Sequence, residues 1–419
     1  MNPLYIIAAI RTPFCKMGTD LASFTADDLG REACSALLTL TGIDPGELSE
    51  VIIGCVAQPV EAANVARVIA LRSGVPAHVP AVTVHRNCAS GMEAITTAHQ
   101  RMMAGQGDLF LVGGAESMTH VPLLFPHEAA VHFSELNRAK SSGQKLSAAA
   151  SFNLSDFKPR IGLELGLTDP FSGLIMGDTA EILSREFGIT REAQDLFSAG
   201  SHAKALANRE QLDAEISPVF SNGSAISQDN GIRNDSTPEK LATLRPIFDR
   251  TTGTVTAGNS SQITDGAVAL LVGTEAAAKR LGIEPLGMLT AYAYSGCDPS
   301  RMGLGPVHAI AKAKQLSGLT PDDADLIELN EAFAAQVLAV LASLKDPKTH
   351  HLDLPAYGIP MEKLNRRGGS IALGHPVGAT GARLVLTALD QLRETGGKRA
   401  LATLCVGGGQ GAALYLEKL

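Results

Sequence analysis

One order of features occurs twice along this chain, near each end. Cys88 lies in a loop after the β-rich run Ala81–Val84; helical spacing follows to Ala104, then the strand-like run 108–112 and the pair Gly113-Gly114. His375 lies in a second loop, followed by a helical stretch over 378–394, a strand over 400–404, the turn Gly407-Gly408-Gly409 and a last strand over 412–416. Strands alternating with helices build a parallel or mixed sheet covered on both faces, which excludes a helical bundle or an all-β sandwich. The internal echo predicts two similar α/β halves.

Packing has to rest on Ala, Leu, Ile and Val, because Trp is absent and aromatics make up 4% of the chain. With 419 residues, 45% hydrophobic and 19% charged, the balance is that of a compact α/β enzyme of two or three domains. Between about residues 120 and 246 Gly, Ser and Pro become frequent and polar helices appear, one opened by the capping residue Thr190 and the early acid Glu192. We expect 1–120 to form an N-terminal half completed by about 247–275, 121–246 an inserted loop domain, and 276–419 a C-terminal half. The α/β texture is expected to resume at Gly253-Thr254-Val255-Thr256.

A net charge of −8 argues against nonspecific nucleic-acid binding, although a local basic patch can still hold a small anion. The six cysteines lack paired or metal-ligand spacing, so we expect no disulfide framework, no metal site and a reducing compartment. The first residues read as a core strand, and no apolar run approaches the roughly 18 residues of a membrane span. A soluble, cytoplasmic protein is the expectation.

Four segments carry chemistry. Asn87-Cys88-Ala89-Ser90-Gly91 follows a predicted strand and opens a helix, where unpaired N–H groups would stabilise a thiolate. Cysteine is also a small core residue, and this segment alone does not separate the two readings. Gly374-His375-Pro376 sets a histidine in a loop; it is either the base that activates a thiol or a plain capping residue. Cys405-Val406-Gly407 places a second thiol before bare glycine N–H groups, suited to α-carbon proton transfer and an oxyanion hole, although alone it reads more simply as a core cysteine. Asn330-Glu331-Ala332-Phe333 offers an amide that can orient water or simply cap a helix. Together they supply a thiol, a base, a second acid/base and oxyanion donors, and the set is far more specific than any member.

With these segments in place the sequence resembles the thiolase family over essentially its whole length. The resemblance rests on residues 87–91, 113–118, 256–261, 265–267, 330–333, 374–378 and 405–407. It implies a thiolase-like fold, with two similar α/β halves in five layers (α-β-α-β-α) and an inserted loop domain. It implies Cys88 as the acylated nucleophile, His375 as its base and Cys405 as the acid/base at the α-carbon. Asn330 would hold a water that, with His375, stabilises one oxyanion, and the N–H groups of Cys88 and Gly407 would stabilise the other. Ser261 and Ala257 would contact the pantetheine arm, and Met176 and Phe333 the acyl group. Coenzyme A is then a co-substrate, with no permanently bound cofactor, and Arg233, Lys240 and Arg245 are candidates for its phosphates.

Residues 61–67, 176–181 and 244–250 look most like the β-subunit of the fatty-acid-oxidation trifunctional complex. That likeness implies a 3-ketoacyl-CoA thiolase (acetyl-CoA C-acyltransferase) of fatty-acid β-oxidation. That subfamily usually has His where Asn330 stands, and Cys405-Val406-Gly407 is of general thiolase type. Ile175 replaces a histidine typical of short-chain enzymes, favouring a longer or broader substrate; a biosynthetic acetyl-CoA C-acetyltransferase is the alternative. A non-catalytic acyl-CoA- or lipid-binding relative should lack Cys88, His375 or Cys405, and ketoacyl synthases usually lack a second catalytic cysteine. A homodimer or homotetramer is implied. The stretch 120–174 would serve a hydratase/dehydrogenase α-subunit or peripheral membrane contact, or be an ordinary solvated loop.

Overall fold

The computed structural model describes residues 2–348 and 355–419. Its main sheet contains β1 (Leu4–Arg11), β2 (Glu50–Gly54), β3 (Ala81–Val84), β4 (Leu109–Glu116), β5 (Thr264–Gly273), β6 (Gly287–Gly296), β7 (Leu326–Leu329), β8 (Arg399–Val406) and β9 (Gln410–Glu417). They lie in the order β7-β8-β9-β6-β1-β5-β4-β2-β3, with the short strand Cys15–Lys16 beside β5. β2 runs parallel to β3 and β4, and β7 parallel to β8. The halves join where β1 pairs antiparallel with β6 through Leu4↔Leu289 and Ile6↔Gly287.

The helices that cover this sheet are α1 (Ala26–Thr41), α2 (Val65–Arg72), α3 (Ser90–Met103), α4 (Met176–Glu186), α5 (Arg191–Ala207), α6 (Gly305–Ser317), α7 (Ala334–Lys345) and α8 (Val377–Thr395). Alternation along the strands sorts side chains between separate cores. In β4, Phe110 and Val112 face one core, Leu109 and Leu111 another; in β9, Leu414 and Leu416 are separated from Ala413 and Tyr415. Such a strand is apolar throughout because both faces are buried. The central core gathers inner-face residues of both halves around α3 and α8. The outer face of the N-terminal half packs on α1 and α2, and that of the C-terminal half on α6 and α7. The layers therefore run α-β-α-β-α, as the resemblance implied.

Small residues let the two central helices share one layer. A Cβ on Gly91 would lie 2.6 Å from the Ala382 nitrogen, and one on Gly381 would lie 2.8 Å from the Met92 nitrogen. Close backbone approach supplies dispersion contacts that a chain without Trp cannot draw from large rings.

Among the described residues, 121–246 add no strand to the main sheet. They hold α4, α5 and two small ladders, Leu123–Leu124 with Arg160–Ile161 and Val219–Ser221 with Ser224–Ile226. Thr190 caps α5 through its side chain, as its position in the sequence predicted. Arg11 at the end of β1 fastens this segment: its fully buried guanidinium donates to Glu215 at 2.9 Å and to both oxygens of Asp229 at 2.7 and 2.9 Å.

Two expectations change. Residues 253–256 do not resume the sheet, which restarts at Thr264 in β5. Side-chain acceptors take the place of a strand partner: Glu181 on α4 accepts from the Thr254 and Val255 N–H groups at 2.9 and 2.8 Å, and Asn259 accepts from the Thr256 N–H at 2.7 Å. The run Ala81–Val84, which its apolar, β-branched sequence marks as a buried strand, forms β3 but is only half-buried, because β3 closes one edge of the sheet. Among the described residues no helix is long and apolar enough to cross a membrane.

Candidate active site

Loops from both halves meet at one cavity of about 820 Å³. Cys88, His375, Cys405 and Gly407 line it together with Met176, Ser261 and Phe333.

After β3 the chain turns through Arg86 and Asn87 into α3. Asn87 sits at φ 42°, in the left-handed region that asparagine tolerates better than most residues. Ser90 ties the turn together, its Oγ accepting from the Arg86 N–H at 2.9 Å and donating to the Asn87 carbonyl at 2.7 Å. Cys88 is thereby left half-buried on the cavity wall. Burial pushes its thiol up, against the opposing pull of the Gly407 and Cys88 backbone N–H groups. The N–H groups at the helix start favour the thiolate as expected from sequence, but burial outweighs them and leaves the proton for a neighbouring base.

The candidate base, His375, is placed by the turn before α8. Gly374, at φ 100°, leads into His375, whose backbone N–H bonds the Gln262 carbonyl at 3.0 Å. Its Nδ1 lies 2.6 Å from Thr380 Oγ1, which donates to the Pro376 carbonyl at 3.0 Å. A hydroxyl has one proton, so Oγ1 is left to accept from Nδ1–H. Nε2 is then the ring's free lone pair. Burial, aided by repulsion from Arg383, lowers the imidazole to about 4 and keeps it neutral at pH 7.

Cys405 lies near the end of β8. Burial, reinforced by the neighbouring Cys88 and Cys297, raises its thiol well above the ordinary range, so it rests protonated. The following turn has Gly408 and Gly409 at φ 85° and 80°, conformations that glycine adopts without cost. The Gly407 N–H faces the Cys88 sulfur, while its carbonyl accepts from Asn87 Nδ2 at 2.7 Å.

Asn330 is fully buried but does not line the cavity. It caps no helix, since α7 begins after Phe333. Its Oδ1 accepts from Ser370 Oγ at 2.6 Å, and its Nδ2 is a buried donor with no partner among the described residues. Ala257, Arg233 and Arg245 are exposed and lie off the cavity lining, and Lys240 pairs with Asp235 at 2.8 Å.

Sequence reasoning assigned no role to Thr380, Asn87 or Glu116. Thr380 stands one helical turn after Pro376, a spacing that could have marked it. Glu116, fully buried at the end of β4, accepts from the N–H groups of Val56 at 3.1 Å and of Ala57 and Gly378 at 2.8 Å. It thus joins a stretch of cavity wall to the first turn of α8. A further apolar wall, comprising Val121, Pro122, Leu124, Leu163, Leu165 and Leu167, comes from the 121–246 segment.

Comparison with known proteins bears on this geometry. The family model described as "Thiolase, N-terminal domain" matches residues 4–276, and "Thiolase, C-terminal domain" matches 283–418. A Staphylococcus aureus protein named probable acetyl-CoA acyltransferase is 40% identical, with 100% of each chain covered. An acetyl-CoA acetyltransferase of Cupriavidus necator is 38% identical, again with 100% of each chain covered. Among solved structures, Bacillus anthracis acetyl-CoA acetyltransferase matches with a TM-score of 0.86 and 36% identity, covering 100% of this chain and 99% of that one. Human mitochondrial 3-ketoacyl-CoA thiolase, in complex with CoA, matches at 0.85 and 35%, covering 100% and 98%. With both halves matched, relatives aligned end to end and the same fold in solved structures, the chain belongs to the thiolase family of acyltransferases.

Proposed function

We propose that this acyltransferase is a 3-ketoacyl-CoA thiolase that cleaves 3-ketoacyl-CoA with CoA, giving acetyl-CoA and a shortened acyl-CoA in fatty-acid β-oxidation. The observation that carries the reading is the single cavity. It brings a half-buried thiol, a neutral imidazole and a protonated second thiol together, then continues along the apolar wall from Val121 to Leu167.

His375 Nε2 takes the Cys88 proton, and the sulfur attacks the 3-keto carbonyl. The N–H groups of Cys88 and Gly407 hold the resulting oxyanion. As the carbon–carbon bond breaks, Cys405 protonates the departing acetyl-CoA carbanion. CoA then gives its thiol proton to the Cys405 thiolate and takes the acyl group from Cys88, whose departing thiolate regains its proton from the His375 imidazolium. Asn330, through its unpartnered Nδ2, holds a water that works with His375 on the second oxyanion. Ser261 and Ala257 contact the pantetheine arm, Met176 and Phe333 contact the acyl group, and Arg233 and Arg245 serve the phosphates.

The energetics favour proton transfer that accompanies attack. Burial raises the Cys88 thiol and lowers the His375 imidazole to about 4, and both shifts disfavour a resting ion pair. The thiolate then forms as its carbon electrophile arrives.

The test compares CoA-dependent cleavage of acetoacetyl-CoA and 3-ketohexadecanoyl-CoA, with Cys88→Ala as control. Faster cleavage of the four-carbon substrate would favour the acetyl-CoA C-acetyltransferase reading, and an active Cys88→Ala variant would remove the catalytic assignment altogether.

A further inference from the structure

We propose that Asn87 is a positioning residue that holds the glycine turn of the C-terminal half in register with the nucleophile. The proposal rests on the reading of Cys88 as nucleophile and of the Gly407 N–H as an oxyanion donor.

Among the described residues, Asn87, Asn222 and Asn365 are the non-glycine positions with positive φ. Asn222 begins the Asn-Gly turn of the small Val219–Ser221 hairpin, where the turn itself demands that conformation. Asn365 is buried and spends its amide on the backbone of Leu329 and on Glu331. No hairpin explains Asn87. A strained backbone in a loop persists when its surroundings over-determine it, and strain of that kind clusters at working sites.

What over-determines it reaches across the molecule. The left-handed turn aims the Asn87 amide from the N-terminal half to the Gly407 carbonyl, 2.7 Å away. The backbone of Asn87 therefore delivers Cys88 while its side chain fixes the peptide after Gly407, whose own N–H faces the Cys88 sulfur. Three successive glycines have no side chains to hold them, so an external pin has most effect there. Arg86 supplies a second tie, donating to Gln410 Oε1 at 3.2 Å while its guanidinium lies 4.2 Å from the Tyr294 ring centre. The ring contact and an ion pair with Glu93 at 2.6 Å hold Arg86 itself. The turn is thus held at its beginning by Asn87 and at its end by Arg86.

Asparagine suits the position twice over: it tolerates positive φ and it donates. Glycine would keep the first property and lose the second. Aspartate would keep the shape and present a carboxylate to a carbonyl. This separates a positioning role from a structural one.

The experiment uses the full-length chain with Asn87→Gly and Asn87→Asp, measuring thermal midpoint, kcat, KM and the pH profile of Cys88 alkylation by iodoacetamide, followed by mass spectrometry. For Asn87→Gly we expect a midpoint close to that of the native chain, because relief at positive φ offsets the lost hydrogen bond. We expect kcat to fall about tenfold or more with KM within about twofold, since a loosened donor acts mainly in the transition state. The alkylation inflection should move to higher pH as the Gly407 N–H drifts from the sulfur. A kcat within about twofold of native in both variants, with Cys88→Ala inactive, overturns the proposal and leaves the nucleophile intact. If Asn87→Gly fails to fold, the isosteric Asn87→Asp decides alone. Failure of the underlying reading looks different: Cys88→Ala would keep its activity.

Discussion

Replacing Thr380 with valine removes one hydroxyl from beside the His375 imidazole, the base in the mechanism we propose, at nearly constant volume. Two hydrogen bonds go with it, from His375 Nδ1 at 2.6 Å and to the Pro376 carbonyl at 3.0 Å. The carbonyl loses little, because it also accepts from the Ala379 and Thr380 N–H groups at 2.9 and 3.0 Å. The imidazole loses its acceptor, and a buried unsatisfied donor costs about 1–3 kcal/mol. The ring avoids that cost by moving its proton to Nε2, where it is useless as a base towards Cys88. Either way productive His375 becomes scarcer, and at 1.4 kcal/mol per decade kcat/KM should fall by roughly five- to a hundredfold. Thr380→Ser keeps the hydroxyl and should recover most of that loss. The assay is initial-rate thioester cleavage across pH. In the native enzyme this group is protonated only below about 4, so its acid limb lies there and not near 6.5. Because the folded-state value is lowered, protonation also destabilises the fold as pH drops from 6.5 towards 4. Native kcat/KM in Thr380→Val, or equal damage in the serine and valine variants, would refute the tautomer argument.

Other substitutions test other parts of the structure. Arg11→Ala leaves the buried carboxylate of Asp229 without its cation and Glu215 with only Arg367 at 3.4 Å, and should lower stability by about 3–5 kcal/mol in denaturant titration. Gly114→Ala puts a Cβ 2.1 Å from the Gly378 carbonyl oxygen; the thermal midpoint should drop by an amount equal to about 1–3 kcal/mol, with kcat reduced as the start of α8 shifts. Leu165→Asp charges the apolar wall and should slow cleavage of 3-ketohexadecanoyl-CoA about tenfold more than that of acetoacetyl-CoA, measured as the ratio of kcat/KM values.

Strands alternating with helices were legible from local periodicity, and the five-layer stacking was implied by the resemblance to thiolases. Phe110 and Leu111 point to different cores for no reason beyond alternation along a strand. Cys88 and Cys405 were legible as thiols following or ending strands and His375 as a histidine in a glycine loop, and the structure brings all three to one cavity. What escaped depends on partners far away in sequence. Asn87 meets Gly407 across 320 positions, and nothing adjacent to either announces the contact. Residues 253–256 read as a strand because β-branched residues favour one, yet Glu181, 73 positions away, satisfies their N–H groups in a loop. Charge alone named Arg233 and Arg245 as cations for the phosphates, and both are exposed and lie off the cavity lining.

The shared middle layer of α3 and α8 has a consequence for how the protein is made. Cys88 leaves the ribosome long before His375, Cys405 and Gly407 exist, and the inner face of the N-terminal half lacks α8 until the final quarter of the chain emerges. Under the mechanism we propose, a nascent chain therefore carries the thiol without its base and without the Gly407 donor. Catalysis and the completed core would then arrive together, leaving an unfinished or truncated copy silent rather than trapped as a thioester.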